Sequence, residues 1–290
     1  MLGFADLGKR LRAHRAAAKL TADEVASRVG VSRALLYRYE SGEIIKLATL
    51  EKLAGIYGTS AASLVGLGNE YLTSGPAFFE RITRLEEEAD HITTVFGPLL
   101  YVLTSDAYEQ ALAQALTDPG DDGEAFSALE AQRLIRTLRR RKELFRTRKP
   151  SLVNIVPVAE IERYLGVGLS AQTNLPSSER TARRRAAARE MEHLAELITN
   201  PPMGIQIALT RRPLPTAGFQ MLRIGERRVL AHSPFRIGHP LNLRYGVAMI
   251  TEDEVALRLH ETLAARLWET GLTGAKALDE IQKQLKGSRS

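Results

Sequence analysis

The stretch Leu20–Gly42, "LTADEVASRVGVSRALLYRYESG", decides the fold of the N-terminal part of the chain. Thr21 and Glu24 have the spacing of a capping box, in which each side chain binds the other residue's backbone N–H at the start of a helix. Gly30 stands where that helix needs a residue with a left-handed backbone. Ser32 then predicts the start of a second helix, which runs to the end of the stretch. Two short helices joined by a tight glycine turn indicate a helix-turn-helix unit.

Three further helices are predicted around this unit. Before it, "DLGKRLRAHRAAAKL" places Leu7 and Leu11 on one face of a helix. After it, "KLATLEKLAGIYG" supplies another apolar face, and "SAASLVG" predicts a short last helix capped by Ser60. Residues 1–67 are therefore predicted to form an all-α domain of five helices.

The second helix of the unit has an inward and an outward face. Leu36 and Tyr39 lie three residues apart and are predicted to face the core. The outward face and the start of the helix consist of Ser32, Arg33, Ala34, Tyr37 and Arg38. An arginine donates two hydrogen bonds to O6 and N7 of guanine, and a small alanine lets the helix approach the bases closely. This face predicts a contact with the major groove of DNA, and the alternative is a helical module with solvated arginines.

The pattern resembles the Cro/C1-type repressors of the XRE family over residues 5–67. The resemblance is carried by "LGKRLRAHR", "LTADEVASRVGVS" and "YRYESG". It implies a five-helix DNA-binding fold. The roles that it implies are base reading by Arg33, Ala34 and Arg38, and phosphate contact by Ser32, Tyr37 and Lys46.

The resemblance also implies a structural pair and shows two departures. Arg15 and Glu40 match a pair that joins the first helix to the DNA-reading helix, so Glu40 is expected to be structural. Ala22 stands where the family often has a glutamine that contacts a phosphate. Ile44 and Ile45 make the next turn more apolar than is usual, and either a partner subunit or the next domain is expected to cover them.

Composition excludes several kinds of chemistry. The chain of 290 residues contains no cysteine, so disulfides, thiolate catalysis and cysteine-bound zinc are excluded. No apolar run approaches the ~18 residues of a membrane span, and the N-terminus lacks the charge order of a signal peptide. We therefore expect a cytoplasmic protein with no membrane partner.

The net charge of +6 is unevenly distributed. Residues 1–67 carry ten basic and six acidic side chains, whereas residues 68–123 carry two and eleven. Residues 124–149 carry nine basic and three acidic side chains. This distribution indicates modules with different partners, and the basic N-terminal end favours nucleic acid.

A heptad spacing of apolar residues follows the predicted DNA-binding domain. Its members are Phe78, Ile82, Leu85, Ala89, Ile92 and Phe96. This spacing predicts a helix within residues 68–97. The helix is either a dimer-forming connector or packs on its own C-terminal domain.

Two basic clusters come later, at Arg133–Lys149 and Arg180–Arg189. Each is interpreted either as a site for phosphate groups, of DNA or of a ligand, or as a solvated helix face. The acidic segment before Arg133 is expected to neutralise part of the first cluster.

In the C-terminal half, residues 98–290, the spacing of the apolar residues changes. Five short apolar runs rich in β-branched residues alternate with four predicted helices, which predicts a mixed α/β domain. Its layout resembles that of the domain of unknown function fused to XRE heads in actinobacterial regulators. The matching segments are "PLLYVLTSDAYEQAL", "VNIVPVAEIERYLGVG" and "MEHLAELITNPPMGIQIAL". The resemblance implies no established ligand.

No catalytic motif appears in this half. The GxSxG, HExxH, P-loop and GxGxxG patterns are all missing from the sequence. His232, His239 and His260 have no partners at metal-ligand spacing. We therefore expect no enzyme, no metal and no cofactor.

The sequence as a whole predicts a DNA-binding transcriptional regulator that reads double-stranded DNA as a homodimer through the helix near residues 32–41. The C-terminal domain is expected to form the dimer, to sense a small-molecule effector or to bind a partner protein. The alternatives are an antitoxin-like protein-interaction module that regulates its own synthesis, and an enzyme fused to a DNA-binding domain.

Overall fold

The computed structural model shows an all-α N-terminal domain followed by a mixed α/β domain, as the sequence predicts. It describes residues 4–65, 69–95, 97, 99–119, 123, 125–169, 175–212, 218–235, 237 and 243–289. The N-terminal domain, here called the head, contains helices α1 (Phe4–Ala17), α2 (Ala22–Val29), α3 (Arg33–Glu40), α4 (Leu47–Tyr57) and α5 (Ala61–Val65).

Each helix of the head contributes an apolar face to one core. Leu11, Val25, Leu36, Leu53 and Leu64 are fully buried in it. Burying a side chain of this size stabilises the fold by roughly 1.5–3 kcal/mol. The domain therefore has a core of its own, which fixes α3 with its opposite face outward.

The C-terminal domain alternates strands and helices. Its strands are β1 (Glu70–Leu72), β2 (His91–Val95), β3 (Ser151–Pro157), β4 (Ile205–Thr210), β5 (Gly218–Ile224), β6 (Arg227–Ser233) and β7 (Ala248–Thr251). Its helices are α6 (Gly75–Glu86), α7 (Ala107–Thr117), α8 (Ala128–Arg148), α9 (Val158–Val167), α10 (Ser177–Thr199), α11 (Glu254–Glu269) and α12 (Gly274–Arg289). A single turn of 3-10 helix covers Tyr101–Leu103.

The strands form one mixed sheet in the order β1-β7-β6-β5-β2-β3-β4. The strands β2, β3 and β4 are parallel, and the other neighbours are antiparallel. The main core lies on one face of the sheet, beneath α6 to α10 and α12. On the other face α11 packs through Leu257, Ala264 and Leu267.

The structure corrects the prediction of five strands, because the described part of the chain has seven. The two strands that were not predicted are β1 and β2. Both are short, and each is held by hydrogen bonds to strands that lie far away in sequence. The predicted runs that became β3 to β7 are confirmed, and a turn at Gly225 joins β5 to β6.

The structure also corrects the prediction that the heptad spacing forms one helix. The helix α6 ends at Glu86, and Ile92 lies in a strand instead of on a continuing helix. Four consecutive β-branched residues follow His91, and they favour a strand that pairs on both sides. The spacing members Phe78, Ile82 and Ile92 are buried in the core of the C-terminal domain, so they form no exposed dimer surface. Phe96 lies outside the described residues.

The head packs on the C-terminal domain through α1. Glu70 on β1 accepts two hydrogen bonds of 3.0 Å from Arg81 on α6, and both side chains are buried. His14 on α1 is buried beside them, with its Nε2 atom 3.6 Å from the Glu70 carboxylate. Burial lowers the pKa of His14. Nearer the surface, Lys19 in the turn after α1 donates a hydrogen bond of 2.9 Å to Glu130 on α8.

In the described part of the chain, no helix combines the length and the apolar composition that crossing a bilayer requires.

Candidate nucleic-acid interface

The turn between α2 and α3 is built from local contacts. The Thr21 N–H donates to the Glu24 carboxylate at 2.7 Å, and the Glu24 N–H donates back to the Thr21 hydroxyl at 3.2 Å. The Glu24 carboxylate accepts hydrogen bonds from the Thr21 N–H and the Thr21 hydroxyl, and these lower its pKa. Gly30 ends α2 with a φ of +83°, a conformation that side chains disfavour. Ser32 then caps α3 by accepting the Leu35 N–H at 3.1 Å. The predicted caps and turn are all present.

The helix α3 is fixed against α1 at its C-terminal end. Arg15 on α1 donates hydrogen bonds of 2.6 and 2.9 Å to the two carboxylate oxygens of Glu40. The Glu40 side chain is only 4% exposed, and its hydrogen bond raises the pKa of Arg15. Gly8 on α1 also touches the end of α3, since a Cβ atom there would lie 2.5 Å from the carbonyl oxygen of Glu40. The structure thus brings together Arg15 and Glu40, the two residues that the sequence analysis places in a pair.

The outward face of α3 begins with Arg33 and Ala34, which are both exposed. Arg33 donates hydrogen bonds to Asp23 at 3.2 Å and to the Tyr37 hydroxyl at 3.3 Å. Its guanidinium also lies 5.5 Å from the centre of the Tyr37 ring. The side chains of Arg33 and Asp23 remain 58% and 66% exposed, so solvent screens this pair and the arginine is available to a ligand.

One turn further along, Arg38 shows the same arrangement. It donates a hydrogen bond of 2.6 Å to Glu43, which follows α3, and both side chains are largely exposed. This contact lowers the pKa of Glu43. Solvent screens an exposed ion pair of this kind, so its replacement by a contact to DNA costs little.

The three predicted phosphate contacts flank this face. The Ser32 oxygen accepts from Leu35, which leaves the hydroxyl proton of Ser32 to donate to another group. Tyr37 is 43% exposed. Lys46 is exposed at the N-terminal end of α4, where backbone N–H groups also favour an anion. The structure thus brings Arg33, Ala34, Tyr37 and Arg38 onto one outward face, with Ser32 at its start.

The apolar turn after Gly42 divides between core and surface. Ile45 packs against the core of the head, whereas Ile44 is 79% exposed. The expectation that both pack against another subunit or domain is therefore wrong for Ile45, because the head itself covers that side chain.

Sequence reasoning did not find the carboxylates that hold the two arginines. Asp23 lies in a different helix from Arg33, and Glu43 lies in a loop. No spacing rule for a single helix connects either carboxylate with its arginine, so the tertiary turn was needed to bring them together.

The basic helix α8 has very different surroundings. Its ion pairs join Arg139 to Glu109, Arg140 to Glu87, Arg141 to Glu86, and both Lys142 and Arg146 to Asp106. Arg141 donates two hydrogen bonds of 2.5 and 2.6 Å to Glu86, and both side chains are at least nine-tenths buried. The acidic segment 68–123 supplies all of these partners. The acidic segment therefore neutralises this stretch of α8, as expected.

The C-terminal domain shows one histidine pair that sequence reasoning missed. The Nε2 atoms of His232 on β6 and His260 on α11 lie 2.7 Å apart. The Nδ1 atom of His260 lies 2.7 Å from the carbonyl oxygen of Ala256, so it donates there and leaves Nε2 as an acceptor for His232. Burial lowers the pKa of His232. His239 lies outside the described residues, and within the described ranges no three His, Asp or Glu side chains are arranged to hold a metal ion.

Comparison with known proteins supports the assignment of the head. Residues 6–65 match a family model described as a helix-turn-helix domain. No curated protein matches the chain at a significant level. The N-terminal part of the chain is a helix-turn-helix domain, a class of domain that binds DNA.

One solved structure that matches is TrmBL2, described as an archaeal chromatin protein with a novel mode of DNA binding. The sequence identity is 8% and the TM-score is 0.31, over 70% of this chain and 53% of TrmBL2. The chain thus spans about half the length of that protein. A TM-score this low supports no conclusion about fold or function.

Proposed function

We propose that this protein is a sequence-specific transcriptional regulator of the XRE (Cro/C1) type that places α3 in the major groove of its operator. The observation that carries the proposal is the exposed face of α3, on which two arginines flank a small alanine. Arg33 and Arg38 read bases, and Ala34 permits close approach. Ser32, Tyr37 and Lys46 bind the phosphates on either side. A protein with this function acts at the chromosome, in the cytoplasm.

The experiment begins by selecting duplexes that the full chain binds from a random-sequence pool. Arg33→Ala and Arg38→Ala are then compared with wild type on the selected duplex. Each variant should lose ~1–3 kcal/mol of binding free energy, which is roughly 5- to 150-fold, and should relax the base preference at one position. Circular dichroism controls for folding. Failure to select any sequence, or unchanged affinity in both variants, would reject α3 as the reading helix.

The proposed regulator binds as a homodimer. A single head offers a small interface, and specific affinity normally requires two half-sites one helical turn apart. The buried position of Phe78, Ile82 and Ile92 excludes the heptad spacing as the dimer surface, so the contact lies elsewhere on the chain. Light scattering of the full chain at micromolar concentration should give twice the mass of 32.0 kDa. A monomer that still binds a palindromic duplex no better than one half-site would contradict the dimer.

The C-terminal domain is proposed to form the dimer, to sense an effector, or both, and to have no catalytic activity. In support, the buried charges described at Arg81 and Arg141 are paired with carboxylates and leave no free acid or base there. The contact of His14 on α1 with Glu70 on β1, which also binds Arg81 on α6, offers a physical route from this domain to the head. Substrate turnover by the full chain in a broad hydrolase and transferase screen would contradict the absence of catalysis.

A further inference from the structure

An open groove of about 430 Å³ lies between α10 and α12, above α9. This volume falls within the ~300–1,000 Å³ of small-molecule sites. Leu165 and Ala188 give the groove an apolar floor, and Ser288 near the C-terminal end of α12 forms part of the opposite wall. The remaining lining comes from α10 and is strongly basic. The groove therefore combines the size of a ligand site with a positive wall.

Of the five arginines in the α10 cluster, three have structural contacts. Arg180 donates to the carbonyl oxygen of Leu175 at 3.0 Å, and Arg184 donates to that of Ser288 at 2.5 Å. Arg183 donates to the carboxylate of Asp118 at 2.5 Å. These contacts tie α10 to the surrounding chain, so the three arginines are explained by the fold.

Arg185 and Arg189 have no such explanation. Both are exposed, both line the groove, and in the described part of the chain neither has a hydrogen-bond or carboxylate partner. They lie one helical turn apart on the same face, where two like charges repel each other. An anion bound between them would relieve this repulsion and satisfy both guanidinium groups.

We propose that this groove binds a small phosphate monoester that also carries a hydroxyl or amino group. Arg185 and Arg189 hold the phosphate, because the planar guanidinium donates pairs of hydrogen bonds to phosphate oxygens. The floor at Leu165 and Ala188 packs against the carbon body of the ligand. Glu192 lies one turn beyond on α10, where its carboxylate accepts a hydrogen bond from the ligand's hydroxyl or amino group.

The same carboxylate argues for a small ligand over a nucleic-acid backbone. A strand of DNA would bring further phosphates along the groove, and one of them would face Glu192. The concave walls from three helices also fit a compact molecule better than an extended one. The proposed ligand site in the groove does not depend on DNA binding by the head. If the proposed regulator function is right, the groove is an effector site.

The test is isothermal titration of the full chain, without DNA, with glucose 6-phosphate, phenyl phosphate and inorganic phosphate. Glucose and phenol serve as uncharged counterparts. We expect saturable binding at one site per chain, tightest for glucose 6-phosphate and undetectable for glucose. The double substitution Arg185→Gln/Arg189→Gln should weaken it about tenfold or more. Arg133→Gln/Arg136→Gln, which removes two exposed arginines from α8, is the charge-matched control and should leave it unchanged.

Three results would overturn the proposal. The first is the absence of saturable binding for all three phosphates at millimolar concentration. The second is an equal loss of binding in the two double variants, which would indicate attraction by net charge alone. The third is a fall in the affinity of Arg185→Gln/Arg189→Gln for random-sequence duplex without any effect on the esters, which would assign the two arginines to DNA. Because DNA binding by the head is measured separately, none of these results bears on the function of α3.

Discussion

Helices α3 and α8 are both rich in arginine, but Arg141 of α8 has surroundings opposite to those of the two arginines on the outer face of α3. On α3, Arg33 and Arg38 are more than half exposed and pair with carboxylates that are themselves exposed. On α8, Arg141 is 4% exposed and makes two hydrogen bonds to the carboxylate of Glu86, whose side chain is 9% exposed. Both helices are basic in sequence. They differ in where the tertiary structure places the acidic partners of their arginines.

The difference shows what an arginine contributes in each place. A buried ion pair holds two elements together, and removal of one partner leaves the other charge buried without a counter-charge or solvent. An exposed pair contributes little to stability but orients a guanidinium that remains free to bind a ligand. Substitution of the buried Arg141 in α8 should therefore affect folding, and substitutions on the outer face of α3 should affect binding.

The largest expected effect on stability belongs to α8. Arg141→Gln leaves the Glu86 carboxylate buried without its cation, and should cost ~3–5 kcal/mol of unfolding free energy. Arg140→Gln removes an exposed pair with Glu87 and should cost ~0–1 kcal/mol. Urea denaturation of both variants measures the difference. Equal midpoints would break the distinction between buried and exposed arginines.

A smaller effect is expected for the pair that anchors α3. Glu40→Ala removes the acceptor of two hydrogen bonds from Arg15 and should cost ~1.5–3 kcal/mol. Glu43→Ala removes only the exposed partner of Arg38 and serves as the control. Thermal unfolding should give a clearly lower melting temperature for Glu40→Ala. Similar melting temperatures would mean that the Arg15–Glu40 contact is no more important than a surface pair.

The smallest expected effect is a pH dependence at the junction of the two domains. Folding lowers the pKa of His14, mainly by burial, although the Glu70 carboxylate acts in the opposite direction. The folded state therefore binds this proton less readily than the unfolded state. The stability that His14 contributes is complete above its unfolded pKa of ~6.5 and is lost as the pH falls below that value.

His14→Phe removes this titration, so its unfolding free energy should fall less between pH 7 and pH 5 than that of wild type. Part of the slope will remain, because burial also lowers the pKa of His91 and His232. His193→Phe, on the half-exposed surface of α10, is the control. A slope unchanged by His14→Phe would show that the junction does not sense acid.

Local signals made the head predictable. The helix caps at Thr21 and Ser32 and the left-handed residue Gly30 depend on residues close by in the chain. They can therefore be predicted from the local sequence alone. The inward positions Leu36 and Tyr39 follow from the helical period alone. These elements were predicted correctly because no distant contact was needed to specify them.

The features that the sequence did not predict depend on contacts between residues far apart in the chain. The strand β1 has three residues and β2 has five, and distant strands hold both in the sheet. The apolar residues of α6 and β2 together have a heptad spacing, which predicted one continuous helix. Ile92 fits that spacing although it lies in β2, where alternate side chains are buried. The partners of Arg33, Arg38 and Arg141 likewise come from other elements.

The central claim is that the arginines of α3 bind DNA and those of α8 do not. Its most direct test compares two charge-matched double variants, Arg33→Gln/Arg38→Gln and Arg139→Gln/Arg140→Gln, on the duplex selected by wild type. Both lose two positive charges from exposed positions, so a difference cannot come from net charge. The α3 variant should lose ~2–6 kcal/mol of binding free energy, while the α8 variant should stay within about 0.5 kcal/mol of wild type. Equal losses, or a larger loss in the α8 variant, would contradict it.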